Sequence, residues 1–221
     1  MTELRLIGGT ALAEPVEVEA PTLRLPPGRH GIPADLVRAH QRLRLLDAAA
    51  TALAEQGYGR LTAARVTELA GVSSRTFYQH FEDLWACLLA AYENEASLLC
   101  EEIEGACASC AEADREGRAR AGVVAALHFL AAEPAVARLL SAEPPPQIAL
   151  LSAARRDLVE RLGAMLRGVL ADPAGPTPLP GLERRLIGAA LAMVASRSAN
   201  GEPRRLRDLE PELSELLLTS L

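Results

Sequence analysis

Glycines and prolines cut this chain into helix-length pieces. The breaks fall at Gly57, at Gly71, and in the runs EPPPQ (143–147), DPAGPTPLPG (172–181) and ANGEP (199–203). Between them the sequence is dominated by Ala, Leu, Glu and Arg, all good helix formers, while β-branched and aromatic residues are scarce. No segment alternates apolar and polar residues as a half-buried strand does, and no internal repeat is visible. The breakers predict helices near 33–57, 62–70, 73–81, 83–111, 117–132, 134–141, 146–171, 180–199 and 206–219. The expected fold is therefore all-α: a small N-terminal three-helix unit followed by a larger helical bundle. Three segments are expected: a flexible, proline-rich arm over 1–32, the three-helix unit over 33–82, and the bundle over 83–221.

In the first helix the apolar residues Leu36, Val37, Leu43, Leu46, Ala50, Leu53 and Ala54 recur at three and four residues. The second is short. Thr62 is a good N-cap, Val66 and Leu69 point inward, and Gly71 supplies the left-handed turn that ends it. Ser73 then caps a third. Two short helices joined by a tight Gly-containing turn make a helix-turn-helix pattern.

The third helix carries the most information. GVSSRTFYQHF (71–81) holds three of the chain's seven aromatics among hydrogen-bonding side chains. At about 100° per residue, Phe77 and Phe81 share one face and root the helix. Arg75 and Gln79 point away from them, Thr76 and Tyr78 flank the outward face, and His80 lies nearer the buried edge. Arg and Gln four apart match guanine and adenine edges in a major groove. The hydroxyls of Thr62, Ser73, Ser74, Thr76 and Tyr78 suit phosphate oxygens. An ordinary solvated helix face has the same composition.

Charge adds weight. The chain carries a net charge of −6, yet residues 24–81 carry +4, between flanks of −3 and −7. A basic block in an acidic chain points to nucleic acid. All 23 basic residues are Arg, as GC-rich coding favours.

Residues 42–92 resemble the DNA-binding domain of the TetR (TetR/AcrR) family of bacterial regulators. The likeness is carried by RLLDAAATALAEQGYGRLT, by TAARVTELAGVS and by SSRTFYQHF, in which Thr76, Phe77, Tyr78, His80 and Phe81 occupy matching positions. LPPGRHGIPADLVRAHQRLRLLDAA also resembles a lead-in found in actinobacterial members. The resemblance implies a cytoplasmic, homodimeric, ligand-responsive transcriptional repressor with no enzymatic activity and no cofactor. Its DNA contacts would come from Thr62, Ser73, Ser74, Arg75, Thr76, Tyr78, Gln79 and His80. Arg29, with Arg24, is a candidate for an arm reaching the adjacent minor groove. The partner would be a near-palindromic double-stranded operator, with recognition helices about 34–36 Å apart. One departure stands out: members usually place a Lys at the start of the fourth helix, where this chain has Leu84 behind Glu82 and Asp83.

Over residues 93–221 the resemblance is architectural only. It implies a small-molecule pocket and a homodimer interface through 180–199 and 206–219. The stripes Leu186/Ala190/Met193/Val194 and Leu206/Leu209/Leu213/Leu216/Leu217 have the expected place. Pocket candidates are Trp85, Leu88, Tyr92, Leu127, His128, Leu151, Leu158 and Leu162, with Leu99, Ile103, Leu130 and Met165 behind them. Only one aromatic, Phe129, lies beyond Tyr92, so an aliphatic effector is favoured over a flat cation needing an aromatic cage.

Two other functions are to be weighed. Cys100, Cys107 and Cys110 lie on one side of a helix, and CASC has redox or metal spacing, which would suit a thiol- or metal-responsive regulator. No second CxxC supports a metal, and none is expected to be bound. A helical interaction module with decayed DNA binding is the other, supported by the acids beside Leu84. No catalytic constellation is visible. LIGGTALA (6–13) is too short for a convincing signal peptide. AGVVAALHFLAA and LIGAALAMVA fall far short of the ~20 residues of a spanning helix, so no membrane partner is expected.

Overall fold

The computed structural model describes residues 33–110, 114–170, 181–199 and 203–218. Every regular element among them is helical. In order these are α1 (Ala34–Gln56), α2 (Ala63–Ala70), α3 (Ser74–His80), α4 (Leu84–Ser109), α5 (Arg115–Ala132), α6 (Pro134–Ser141), α7 (Ala149–Leu170) and α8 (Leu182–Ala199). A 3₁₀ turn, Pro203–Leu209, then leads into α9 (Glu210–Leu218). The arm over 1–32, with Arg24 and Arg29, lies outside the described residues.

α1 packs against α2, α4 and α6, and α4 lies along α5 and α7. α8 packs on α6 and α7. The buried side chains form one continuous core running from Leu45 and Phe77 through Leu99 and Leu127 to Leu213.

The first helix buries Leu46, Ala50 and Leu53 of the expected stripe, but over a wider arc and only in its C-terminal half. Leu45, Leu46, Ala48, Ala49, Ala50, Ala52 and Leu53 are buried, whereas Leu36 and Leu43 are 61% and 53% exposed. The run of alanines is the reason. With so small a side chain, α2, α4 and α6 can approach α1 from several sides, and a wide arc is buried where a narrow stripe was expected. The last helix also differs. Its first turns, expected to be α-helical from 206, are the tighter 3₁₀ form, and Leu206 and Leu209 are buried there.

The short helices are held by their ends. Thr62 Oγ1 accepts from Arg65 N at 3.2 Å and starts α2. Gly71 stops it in the left-handed region at φ 61°, where a Cβ would be strained. Ser73 Oγ accepts from Thr76 N at 3.1 Å and starts α3. A seven-residue helix is not stable in isolation, and this one depends on Phe77, which is fully buried and touches Phe81 at 5.9 Å between ring centroids. Replacing Phe77 by Ala should cost about 3–5 kcal/mol of stability. Urea denaturation of the two proteins measures that difference, and a loss under about 1 kcal/mol would mean that α3 is anchored elsewhere.

Candidate nucleic-acid interface and apolar cavity

The root of α3 fixes what its other face presents. With Phe77 buried, Arg75, Tyr78 and Gln79 are exposed, Tyr78 by 61%. Tyr78 stands edge-on to Phe77, with centroids 5.2 Å apart and planes at 85°, so the ring is braced at its base while its hydroxyl faces outward. Ser74 is exposed. Thr76 is half-buried, its hydroxyl 2.9 Å from that of Ser73. Thr62 is exposed at the start of α2. The structure thus brings Ser73, Ser74, Arg75, Thr76, Tyr78 and Gln79 onto one short helix and its cap. His80 sits at the rim, half-buried, with Nε2 3.5 Å from Gln41 Oε1. Burial, then the nearby Arg38 and Arg42 guanidiniums, hold its pKa below the usual imidazole value.

The turn before α3 is locked from α1. The Arg44 guanidinium donates to the carbonyl oxygens of Ala70 and Gly71, satisfying the exposed C-terminal end of α2. Arg65 pairs with Glu55 at 2.8 Å and with Glu68 at 2.9 Å, tying α2 to α1. Both arginines are therefore committed to the fold. Neither stands out in the sequence, because Glu55 lies 10 residues from Arg65, and Ala70 and Gly71 lie 26 and 27 residues from Arg44.

The acids before α4 acquire a role. Asp83 Oδ1 accepts from Ala86 N at 2.8 Å, so its carboxylate is turned onto the first turn of α4 as an N-cap. Leu84 is half-buried against the core, and Glu82 is exposed.

A second feature lies far along the bundle. An apolar cavity of about 120 Å³ is lined by α4, α5, α7, α8 and α9. Its wall includes Leu99, Ile103, Cys107, Val123, Leu127, Leu162, Met165, Val194 and Leu217, and no lining residue is polar apart from the Cys107 thiol. Of the candidates named from sequence, Leu99, Ile103, Leu127, Leu130, Leu162 and Met165 line it. Tyr92 is instead fully buried and borders a separate groove between α4 and α7, with Glu93, Asp157 and Arg161. Leu88, Leu151 and Leu158 are core residues away from the cavity, Trp85 is half-buried on that core, and His128 is exposed. The stripe residues Ala190, Val194, Leu213 and Leu217 line the cavity too, so these face inward within one chain.

The thiols sit in apolar surroundings. Cys87 and Cys100 are buried, and Cys107 Sγ is 3.4 Å from the Arg118 carbonyl. Burial pushes the Cys87 thiol up to about 12 and raises Cys100 and Cys107, which disfavours the reactive thiolate. Among the described residues no three His, Cys, Asp or Glu are grouped to hold a metal ion. Nor is any single helix among them long and apolar enough to cross a membrane.

A capped, aromatic-rooted helix following a left-handed glycine turn, with Arg, Tyr and Gln outward, is the geometry of a helix-turn-helix motif. Residues 45–91 match the family model of bacterial regulatory proteins, tetR family. That match begins at Leu45 in α1, spans the helix-turn-helix and ends in α4. No curated protein sequence matches the chain. Similar solved structures include the fatty acid degradation regulator FadR from Bacillus halodurans, at 18% identity and TM-score 0.66, covering 80% of this chain and 98% of that one. Another is the transcriptional regulator FadR from Bacillus subtilis in complex with stearoyl-CoA, at 17% identity and TM-score 0.64, covering 81% and 98%. A TetR-like transcriptional regulator from a Rhodococcus species matches at 18% identity and TM-score 0.63, covering 88% and 96%. At these identities the likeness concerns the fold.

Replacing Gln79 by Ala should remove about 1–3 kcal/mol of discrimination at one base pair per half-site while leaving non-specific affinity unchanged. Fluorescence anisotropy with the preferred DNA and single-base variants reads this difference. Equal losses on every sequence would mean that Gln79 does not read a base.

Proposed function

We propose that this protein is a homodimeric repressor that leaves a near-palindromic operator when an apolar effector enters the bundle. The observation that carries the reading is the outward face of α3, where Arg75, Tyr78 and Gln79 are exposed on a helix whose root is fully buried. Residues 33–82 act as the DNA-binding part and 83–221 as the effector-binding and dimerisation part. The setting would be the cytoplasm. Pairing would use α8 and α9. Their leucine stripes face inward, which leaves the opposite face of α8, with Ala189, Ala192 and Ser196 exposed, for the twofold mate.

The cavity suits a hydrocarbon. Its lining offers no charge and no hydroxyl, so a buried polar head would lack partners there. At about 120 Å³ it holds a small apolar group as it stands. A cavity of ~150 Å³ accepts benzene. A long acyl chain must therefore part the helices, and that displacement is what signalling requires. The stearoyl-CoA in the complex with the B. subtilis regulator makes a fatty acyl thioester the first effector to try.

A polar junction lies between cavity and DNA. The Leu140 carbonyl, at the end of α6, receives the Tyr92 hydroxyl from α4 at 3.5 Å and an Arg155 N–H from α7 at 3.4 Å. Arg155 also pairs with Glu143 at 2.7 Å. Beside them is Tyr58, from the α1–α2 connection, with its hydroxyl buried and unpartnered among the described residues. Burial raises Tyr58 and Tyr92 to about 12, so both stay neutral and serve only as hydrogen-bonding groups near neutral pH. Tyr92 and Arg155 lie two helical turns from the cavity residues Leu99 and Leu162 on the same helices. Spreading α4 from α7 at the cavity would strain this junction, and through Tyr58 the DNA-binding part. The effector must bind the released conformer better than the DNA-bound one for this to work.

Anisotropy of the protein on DNA from upstream of its own gene tests the reading. Palmitoyl-CoA should release the DNA, CoA alone should not, and Ala126→Phe, which fills the cavity, should bind DNA yet resist release. Release of wild type and Ala126→Phe at equal concentrations would exclude the cavity. Unaltered release in a Cys100/Cys107/Cys110→Ser variant would separate this reading from a thiol-based one.

A further inference from the structure

We propose that Arg38 and Arg42 on α1 form a phosphate clamp, gripping the DNA strand that passes the C-terminal end of α3. The proposal rests on the DNA-binding reading above. It adds a second contact surface, on a helix other than the recognition helix.

Four observations place the two side chains there. First, they lie four residues apart on α1, on one face and both exposed. Second, the Arg42 guanidinium carbon stands 4.6 Å from the centroid of the Phe81 ring. Phe81 closes α3 and immediately precedes Glu82, Asp83 and Leu84, so this stacking holds a cation beside the α3–α4 junction. Third, both guanidiniums act on His80, the last residue of α3, and Gln41 between them reaches the same imidazole. The N-terminal part of α1 therefore runs beside the end of the recognition helix. Fourth, neither arginine has a carboxylate within ion-pair distance among the described residues. The contrast is with Arg65, Arg120, Arg155, Arg167 and Arg184, each of which is paired.

Phosphate is the occupant that this arrangement suits. A guanidinium presents a planar fork of donors that fits phosphate oxygens, and stacking on an aromatic ring fixes its plane. Of the acids nearby in sequence, Asp83 has turned its carboxylate onto the Ala86 N–H, leaving Glu82 as the exposed negative group at the junction. Arg44, two residues on, is occupied by the Ala70 and Gly71 carbonyls and takes no part. The clamp thus supplies from α1 the cation that Leu84 cannot supply from α4. It is distinct from the arm over 1–32, which ends before Arg38.

Phosphate contacts are measured by counterion release. Each one lost lowers the slope of log K against log salt by ~0.9 and weakens binding to all sequences alike. Binding to upstream DNA should be measured across salt for wild type, Arg38→Gln, Arg42→Gln, Arg42→Lys and Gln79→Ala, with urea denaturation of each. Arg38→Gln should flatten the slope by about 2 for the dimer without loss of stability, since Arg38 is exposed and has no ion-pair partner among the described residues. Arg42→Gln should do the same with some loss of stability, and Arg42→Lys should restore the slope because charge is what counterion release counts. Gln79→Ala should alter base discrimination at an unchanged slope. If wild type and Gln79→Ala behave so while the slope of Arg38→Gln and Arg42→Gln equals that of wild type, the clamp is overturned and the DNA-binding reading stands. If wild type shows no site-specific binding at any salt, that reading falls and the clamp falls with it.

Discussion

The burial of Phe77 is the constraint on which the rest depends. α3 has seven residues, too few to hold a helix unaided, and its caps satisfy only its ends. One aromatic side chain at 0% exposure fixes both the existence of the helix and its rotation about its own axis. That rotation decides that Arg75, Tyr78 and Gln79 are outward. Gly71 and Arg44 then set the direction in which the chain enters α3. The outward polar side chains of α3 are thus carried on a rigid root.

The opposite end of the molecule follows a different logic. Its cavity is aliphatic and lined by five helices that contribute small or branched side chains. Gly122 shows how close the walls are, since a Cβ there would lie 3.0 Å from Cys107 Sγ and 3.2 Å from Ile103 Cγ2. α4 and α5 meet through a missing side chain, and any ligand larger than the cavity must push them apart. Between the two ends lies the polar junction of Tyr58, Tyr92, Arg155 and Glu143. Displacing it would cost the hydrogen bonds that Tyr92 and Arg155 make to the Leu140 carbonyl. In the proposed function, this is what would carry a spreading of helices at the cavity toward α1–α3.

Much of this was legible in the sequence wherever the information is local. Helix breakers, the Thr62 and Ser73 caps, the Gly71 turn and the four-residue spacing of Phe77 and Phe81 each act within one or two turns, and the helices lie where those signals put them. What was not legible depends on approach between distant segments. Alanines at 48–50 and 52 gave no stripe to follow, so the buried face of α1 was misjudged at Leu36 and Leu43. Arg44 reads as one more basic residue until Ala70 and Gly71 are brought to it. Asp83 reads as a charge hostile to DNA until its carboxylate is found on the α4 N-terminus. The cavity wall was legible only in part, at Leu99, Ile103, Leu127, Leu130, Leu162 and Met165, because any leucine on a buried stripe is equally a core residue or a lining residue. Only the packing of α8 and α9 on α5 and α7 distinguishes Val194 and Leu217 from Leu158 and Leu88.

In the proposed function, a twofold pair of α3 helices reads DNA and the apolar interior governs that reading. Hydroxyl-radical footprinting on DNA upstream of the gene tests it most directly, with and without palmitoyl-CoA. The account predicts two protected half-sites on one face of the duplex, related by a dyad and about one helical turn apart, both vanishing when the thioester is added. A protected region without twofold symmetry, or a symmetric footprint that no acyl thioester or fatty acid removes, would contradict it.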